Sequence, residues 1–466
     1  MYNQRLSNRE NHRQFEGVSA PPAINIRVHR NEGNMPYSAY VCLKNPQYVP
    51  DDALFYYQIA FNAAHGLGLS FAEGIQTNGF HPLWMVVCYI VACFVSTKIQ
   101  LLYVIALICA LLNGLTIVLL RNFIRVFLAD PAPSMAILIA APYFLFVGTG
   151  MEGHLSNFLL VALLHFCARF QERRSDLFFL CSAVVCGLIV ASRLDLAIVI
   201  APLAGWLAWS FLNSGSITTH KISIVLLSIV SGIVPASIFL LHNFFTFGNI
   251  TPISGLLKLA ISAREGGVGA VNGIVIAYIF VILTAGAICL TSKNVKVYSP
   301  VVELFAGQIM FVIYVILFNN VEVGSWYFVS LSVTAALGAS LIYTNFVDRF
   351  FGRVEGQQVA LFTLLLFSGC LSVFLSMRYG ARTETWSLPI AKYFASNSLS
   401  DVARRNDVKR VVAFDRPGEL AFFDGLWVIP ADGLTTNLQI QRDLDSRGVE
   451  WLIEHYGIDA LVLPPA

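Results

Sequence analysis

Long apolar runs recur along this chain, separated by short polar turns. A helix needs about 20 mostly apolar residues to cross the hydrocarbon core of a bilayer. Segments near 100–120, 133–149, 155–170, 177–192, 196–213, 221–242, 268–291, 300–319, 327–344 and 357–377 fit that pattern and predict ten spans. The run 83–98 (LWMVVCYIVACFVSTK) is shorter and is expected to lie at the interface or to insert only in part. After residue 378 the apolar runs shorten and charges return. There Val411 to Phe414 and Leu461 to Leu463 read as buried strands, and Leu444 to Tyr456 has helical spacing. The expected architecture is an all-α polytopic membrane domain over 100–377 with a small extracytoplasmic α/β domain over 378–466. Ahead of it, a first outer loop over 51–99 begins with a helix that opens at Pro50-Asp51-Asp52 and stops at Gly66. Residues 1–50 are polar, with neither a signal peptide nor an apolar run.

Composition sharpens this picture. The 466 residues are 56% hydrophobic and only 12% charged. An ordinary soluble protein is roughly 45–50% apolar and about one quarter charged, so a purely cytosolic enzyme is excluded. The net charge of +2 comes with no dense basic block, so nucleic acid is not an expected partner. Eight of the nine cysteines sit inside apolar runs and read as small hydrophobes, with neither disulfide nor metal spacing.

Charge also sets the orientation. If 83–98 does not cross and the first loop is outside, one set of loops carries Arg121, Arg125, Arg169, Arg173, Arg174, Lys221, Lys293, Lys296, Arg349 and Arg353. The opposite short loops carry only Arg193, Lys258 and Arg264. Such a bias marks the richer side as cytoplasmic.

With that orientation the unusual polar residues gather outside: Asp51, Asp52, Glu152, Arg193, Asp195, Asn243, Lys258, Arg264 and Trp326. Charges near a bilayer are costly and mark function, pairing or a water-filled cavity. Each also has a plain structural reading. One of Asp51 and Asp52 suits a helix N-cap, and Glu152 could cap a helix starting at Leu155. Arg193 and Asp195 could form a structural ion pair, and Lys258 an interfacial anchor. Gly66 and Gly68 suit a helix C-cap and turn rather than a phosphate cradle. His81 reads as a structural hydrogen-bonder. A second adjacent carboxylate is left over by capping, and mutual repulsion of such a pair raises one of them toward a general base's working range.

Several motifs resemble the bacterial GT-C glycosyltransferases, the superfamily of protein mannosyltransferases, lipid A aminoarabinose transferases and cell-wall arabinofuranosyltransferases. They are Asp51-Asp52-Ala-Leu-Phe-Tyr-Tyr, Thr77-Asn78-Gly79-Phe80-His81-Pro82-Leu83-Trp84, Gly150-Met151-Glu152, Arg193-Leu194-Asp195, the stretch from Asn243 to Lys258, and Asp432-Gly433-Leu434. The resemblance implies an inverting transfer of sugar from a polyprenyl-phosphate donor to an acceptor hydroxyl on a glycan, lipid or protein. It implies a bacterial inner membrane and a site on the outer face. By the same resemblance Asp51 is the general base, and Asp52 and Glu152 orient the acceptor or hold a divalent cation (Mg or Mn). Arg193, Lys258 and Arg264 meet the donor phosphate. Tyr56, Tyr57 and Trp326 stack on sugar, and Asn78, His81, Asp195 and Asn243 line the substrate. The family carries a spanning helix ahead of its acidic motif and this sequence does not, so the expectation is either a start upstream of Met1 or an N-terminus that crosses by an unusual route.

A carrier of lipid-linked sugars is the main rival. It would place ionisable residues near mid-membrane and often show internal repeats. Here the spans are nearly free of such residues, Glu303 excepted. A non-catalytic subunit of the same fold is the other alternative, because function belongs to the site and not the fold.

Overall fold

The computed structural model describes residues 24–25, 50–127, 150–216, 218–257, 281–287, 295–318, 329–342, 405–414 and 417–462. The expected spans 133–149 and 357–377, most of 268–291, and the candidates Lys258, Arg264 and Trp326 lie outside the described residues. Chain order runs β1 (Ile24–Asn25), α1 (Asp51–Ala64), α2 (Pro82–Ala92), α3 (Lys98–Phe127), α4 (Gly153–Arg173) and α5 (Asp176–Ser192). It continues through α6 (Leu196–Leu212), α7 (Thr219–Phe247), α8 (Val295–Phe318) and α9 (Val329–Ile342). The tail adds β2 (Arg410–Ala413), α10 (Pro417–Phe422), β3 (Trp427–Pro430), α11 (Leu438–Tyr456) and β4 (Ala460–Val462).

The protein is mostly helical, and its apolar helices make it a membrane protein. Among the described residues four helices are long and apolar enough to span: Lys98–Phe127, Gly153–Arg173, Thr219–Phe247 and Ser299–Leu317. Helices α5, α6 and most of α9 are apolar but shorter. Helices α3 and α7 show exposed Leu107, Leu111, Leu115, Leu226, Val230 and Ile233, the pattern of helices that face lipid. Where α5 meets α7 the backbones touch, because Gly187 faces Gly232 and a Cβ on Gly187 would overlap the Gly232 carbonyl. Helix α2 is 11 residues long, about 16 Å, and is too short to cross. It buries Trp84, Met85 and Cys88 and exposes Val86, Tyr89 and Ile90.

Consecutive helices reverse direction, which sorts the polar residues to two ends. Arg169, Arg173, Arg174 and Lys221 fall at the C-terminal end of α4 and the N-terminal end of α7. Glu152 opens α4 at the other end, Arg193 closes α5, and Asp195 opens α6.

The tail is a small parallel sheet in the order β1-β4-β2-β3. Side chains alternate between its faces, as strand geometry requires. Val412, Ile429 and Leu461 pack with Ile440 and Leu452 of α11, joined by Ala72 and Ile75 of the first loop. Val411, Val428 and Val462 pack on the opposite face with Leu420 of α10 and the buried side of α1. The tail is therefore built onto the first loop. The expected strands are present one residue earlier than read, while β3 and α10 were not anticipated. Helix α11 begins six residues before the expected start, with Asn437 Oδ1 accepting the Ile440 N–H (3.0 Å) as its cap.

A candidate active-site cleft

Helix α1 forms where the sequence expects it. Pro50 precedes it, His65 ends it, and Gly66 adopts φ +83°, a left-handed conformation suited to glycine. Its buried face is held to the turn before α4. The Tyr57 hydroxyl and the Trp84 indole N–H both donate to the Gly150 carbonyl, each at 3.1 Å. Gly150 has φ +90°, and a Cβ there would overlap the Tyr57 hydroxyl. These contacts place Glu152 beside α1 and α2.

An open cleft of about 60 Å³ lies there, lined by Asp52, Tyr56, Phe80, His81, Glu152, Arg193, Ser254 and Leu434 among others. Glu152 is 2% exposed and stands at the N-cap position of α4 without capping it. Instead, its Oε1 lies 3.7 Å from Arg193 Nη1 and 3.8 Å from His81 Nε2. Its Oε2 is buried and has no hydrogen-bond partner among the described residues. Arg193, 3% exposed, gives Nε and Nη2 to the two oxygens of Asp195 at 3.0 and 2.6 Å. The structural ion pair is thus real, and it orients the guanidinium toward Glu152. Tyr56 is 6% exposed, and its hydroxyl accepts the His81 N–H at 3.2 Å. Burial, then the charge of Glu152, pushes its phenol well above the ordinary range, with Arg193 opposing.

Several expected site residues turn out to do other work. Asp51 is absent from the cleft. Its carboxyl oxygens accept the backbone N–H groups of Gly418 (3.1 Å) and Glu419 (2.8 Å) at the start of α10. The capping role is realised, but on a helix 367 residues away. Part of Asp51 stays open to solvent, while its carboxyl group is enclosed under α10. Burial, then the Glu419 charge, raises its pKa well above the ordinary 3.8, outweighing the two amide bonds, and Asp52 adds less than burial or Glu419. Repulsion within the acidic pair is therefore a minor effect. A Cβ on Gly418 would come within 2.6 Å of the Asp51 carbonyl oxygen, so glycine permits this contact. At the other end of α10, Lys98 Nζ donates to the Ala421 carbonyl at 2.9 Å.

Tyr57 is 1% exposed and committed to Gly150, so it does not stack on a sugar. Asn78 and Asn243 do not line the cleft either. Asn78 Oδ1 accepts the Ile253 N–H (3.0 Å), and Asn243 Nδ2 donates to the Ile250 carbonyl (3.3 Å). Both hold the segment that brings Ser254 to the cleft. Asp195 meets Arg193, and Arg193 sits between two carboxylates, so its charge is not directed at a phosphate.

Ser254 and Leu434 are cleft residues the sequence reading did not assign. Leu434 roofs the cleft from the tail: a Cβ on Gly79 would overlap the Leu434 carbonyl oxygen. The turn is fixed by Asp432 Oδ1, which accepts the Leu434 N–H at 2.9 Å. The motifs around Gly79 and Asp432 carried the signal, but only contact shows that they meet.

The residues present do not fit a divalent cation. Among the described residues no three His, Cys, Asp or Glu side chains converge, and the cation already beside Glu152 is Arg193. No protein-family model matches the chain, and no curated protein matches it.

Proposed function

We propose that the chain is a membrane glycosyltransferase of the GT-C type. It moves a sugar from a polyprenyl-phosphate donor to an acceptor hydroxyl, with inversion, at the extracytoplasmic face of a bacterial inner membrane. About ten spans carry the site. One observation bears the most weight: Asp52, His81, Glu152 and Arg193, far apart in the chain, meet in one cleft at the ends of apolar helices. Carboxylates are what such a transfer needs, because the attacking hydroxyl must lose a proton. The aromatic walls Tyr56 and Phe80 offer apolar faces to a sugar ring. The arginines and lysine at the far end support the orientation, since cytoplasmic ends collect them. Asp52 and Glu152 take the acidic roles here in place of Asp51. Asp52 is half-buried at the cleft and is suited to ordering the acceptor.

The test is donor turnover by the purified protein in liposomes. Synthetic undecaprenyl phosphates carrying mannose, arabinose or aminoarabinose are the probes, with a whole cell-envelope extract as acceptor. Release of free undecaprenyl phosphate from one of them is expected. Inertness toward the whole panel would overturn the reading. Orientation is tested separately, with exposed Cys93 replaced by Ser. Glu172→Cys should react with an impermeant thiol reagent only from the cytoplasmic side and Glu73→Cys only from outside; the reverse pattern would refute the topology.

A further inference from the structure

Glu152 is the fully buried acidic residue that lines the cleft. Its side chain is 2% exposed, and Oε2 has no hydrogen-bond partner among the described residues. A buried carboxylate oxygen without a donor costs on the order of 1–3 kcal/mol or more, so a ligand bearing a hydroxyl fits there. Oε1, in contrast, is held by Arg193 at 3.7 Å and faces His81 at 3.8 Å. Arg193 is in turn locked by two short bonds to Asp195, which fixes the orientation of the group. Ser156 Oγ bonds Ser192 Oγ (2.9 Å) one turn below and ties α4 to α5 beneath the ion pair.

We propose that Glu152 is the general base of the transfer, an assignment that rests on the transferase reading above. Its carboxylate takes the proton of the acceptor hydroxyl as that oxygen bonds to the anomeric carbon. The bond between the sugar and the phosphate oxygen breaks, and its electron pair leaves with the polyprenyl phosphate. His81, whose side chain is 29% exposed, stands between Glu152 and solvent and carries the proton out. Asp195 is a positioning residue, acting through Arg193. Asp51 takes no part in the step.

The same liposome assay decides the point. Glu152→Gln keeps the shape and loses the base, so donor turnover should fall 100-fold or more, in line with the ~10²–10⁴ typical of general-base loss. The apparent KM for the donor should stay within about threefold, as expected when only the transition state is affected. Asp51→Asn should stay within about threefold of the parent. Should Glu152→Gln fold poorly, Glu152→Ala supplies the check: added formate should restore turnover in proportion to its concentration, which repair of a merely structural ion pair would not do. Turnover by Glu152→Gln above one tenth of the parent, or no formate rescue, would overturn the base while leaving the transferase intact. A parent protein inert to every donor would overturn both.

Discussion

Asp51 and Glu152 are two enclosed carboxyl groups at the same end of the molecule, and they are used in opposite ways. Asp51 faces backbone amides and no cation, and both of its oxygens are taken. Glu152 faces a guanidinium and an imidazole through one oxygen and leaves the other unmatched. The first arrangement fastens a domain; the second leaves room for chemistry. Enclosure alone does not mark a reactive carboxylate.

The largest expected effect comes from removing the cation. Arg193→Met strands two carboxylates in a buried setting, and loss of one partner of a buried pair costs about 3–5 kcal/mol. The thermal midpoint in detergent should drop by several degrees, and adding Glu152→Gln should restore part of it. A midpoint unchanged by Arg193→Met would erase the contrast with Asp51. On the other side of the comparison, Gly418→Ala pushes a methyl group against Asp51. Crowding of this kind costs about 1–3 kcal/mol, and the tail should become sensitive to protease while the helices stay intact. Equal resistance in both proteins would mean that α10 is not fastened there.

The smallest effect is one of pH. Burial and Glu419 raise the Asp51 pKa above 3.8, so the docked state favours the protonated acid. The stabilisation is complete below the ordinary carboxylate range and fades as pH rises through the raised value. Protease resistance of the tail should therefore decline with rising pH in the parent protein. Asp51→Asn, which cannot ionise, should flatten that slope. A slope that persists in the variant would assign it to another group.

Much of the architecture is legible in the sequence because apolar length and helix punctuation are local signals. Pro50 and Gly66 bracket α1, and the spans around α3, α4 and α7 follow from composition alone. The identity of the cleft-facing acid was only partly legible. Successive helical residues point about 100° apart, so Asp51 and Asp52 cannot face the same way. Which one faces the cleft depends on where Gly418 docks, and nothing near residue 51 encodes that. The strand β3 escaped notice because four residues ending in proline carry too little periodicity to stand out. The resemblance assigns Asn78 and Asn243 to the substrate. Their bonds to Ile253 and Ile250 show them bracing a loop.

The roof over the cleft has a consequence for biosynthesis. Leu434 comes after the apolar helices in chain order, whereas Glu152 comes before most of them, so the floor of the cleft is made before its roof. Newly made helices therefore hold an uncovered acidic groove until the tail has settled on Gly79. A chain cut short before residue 434 would lack the residue that roofs the cleft.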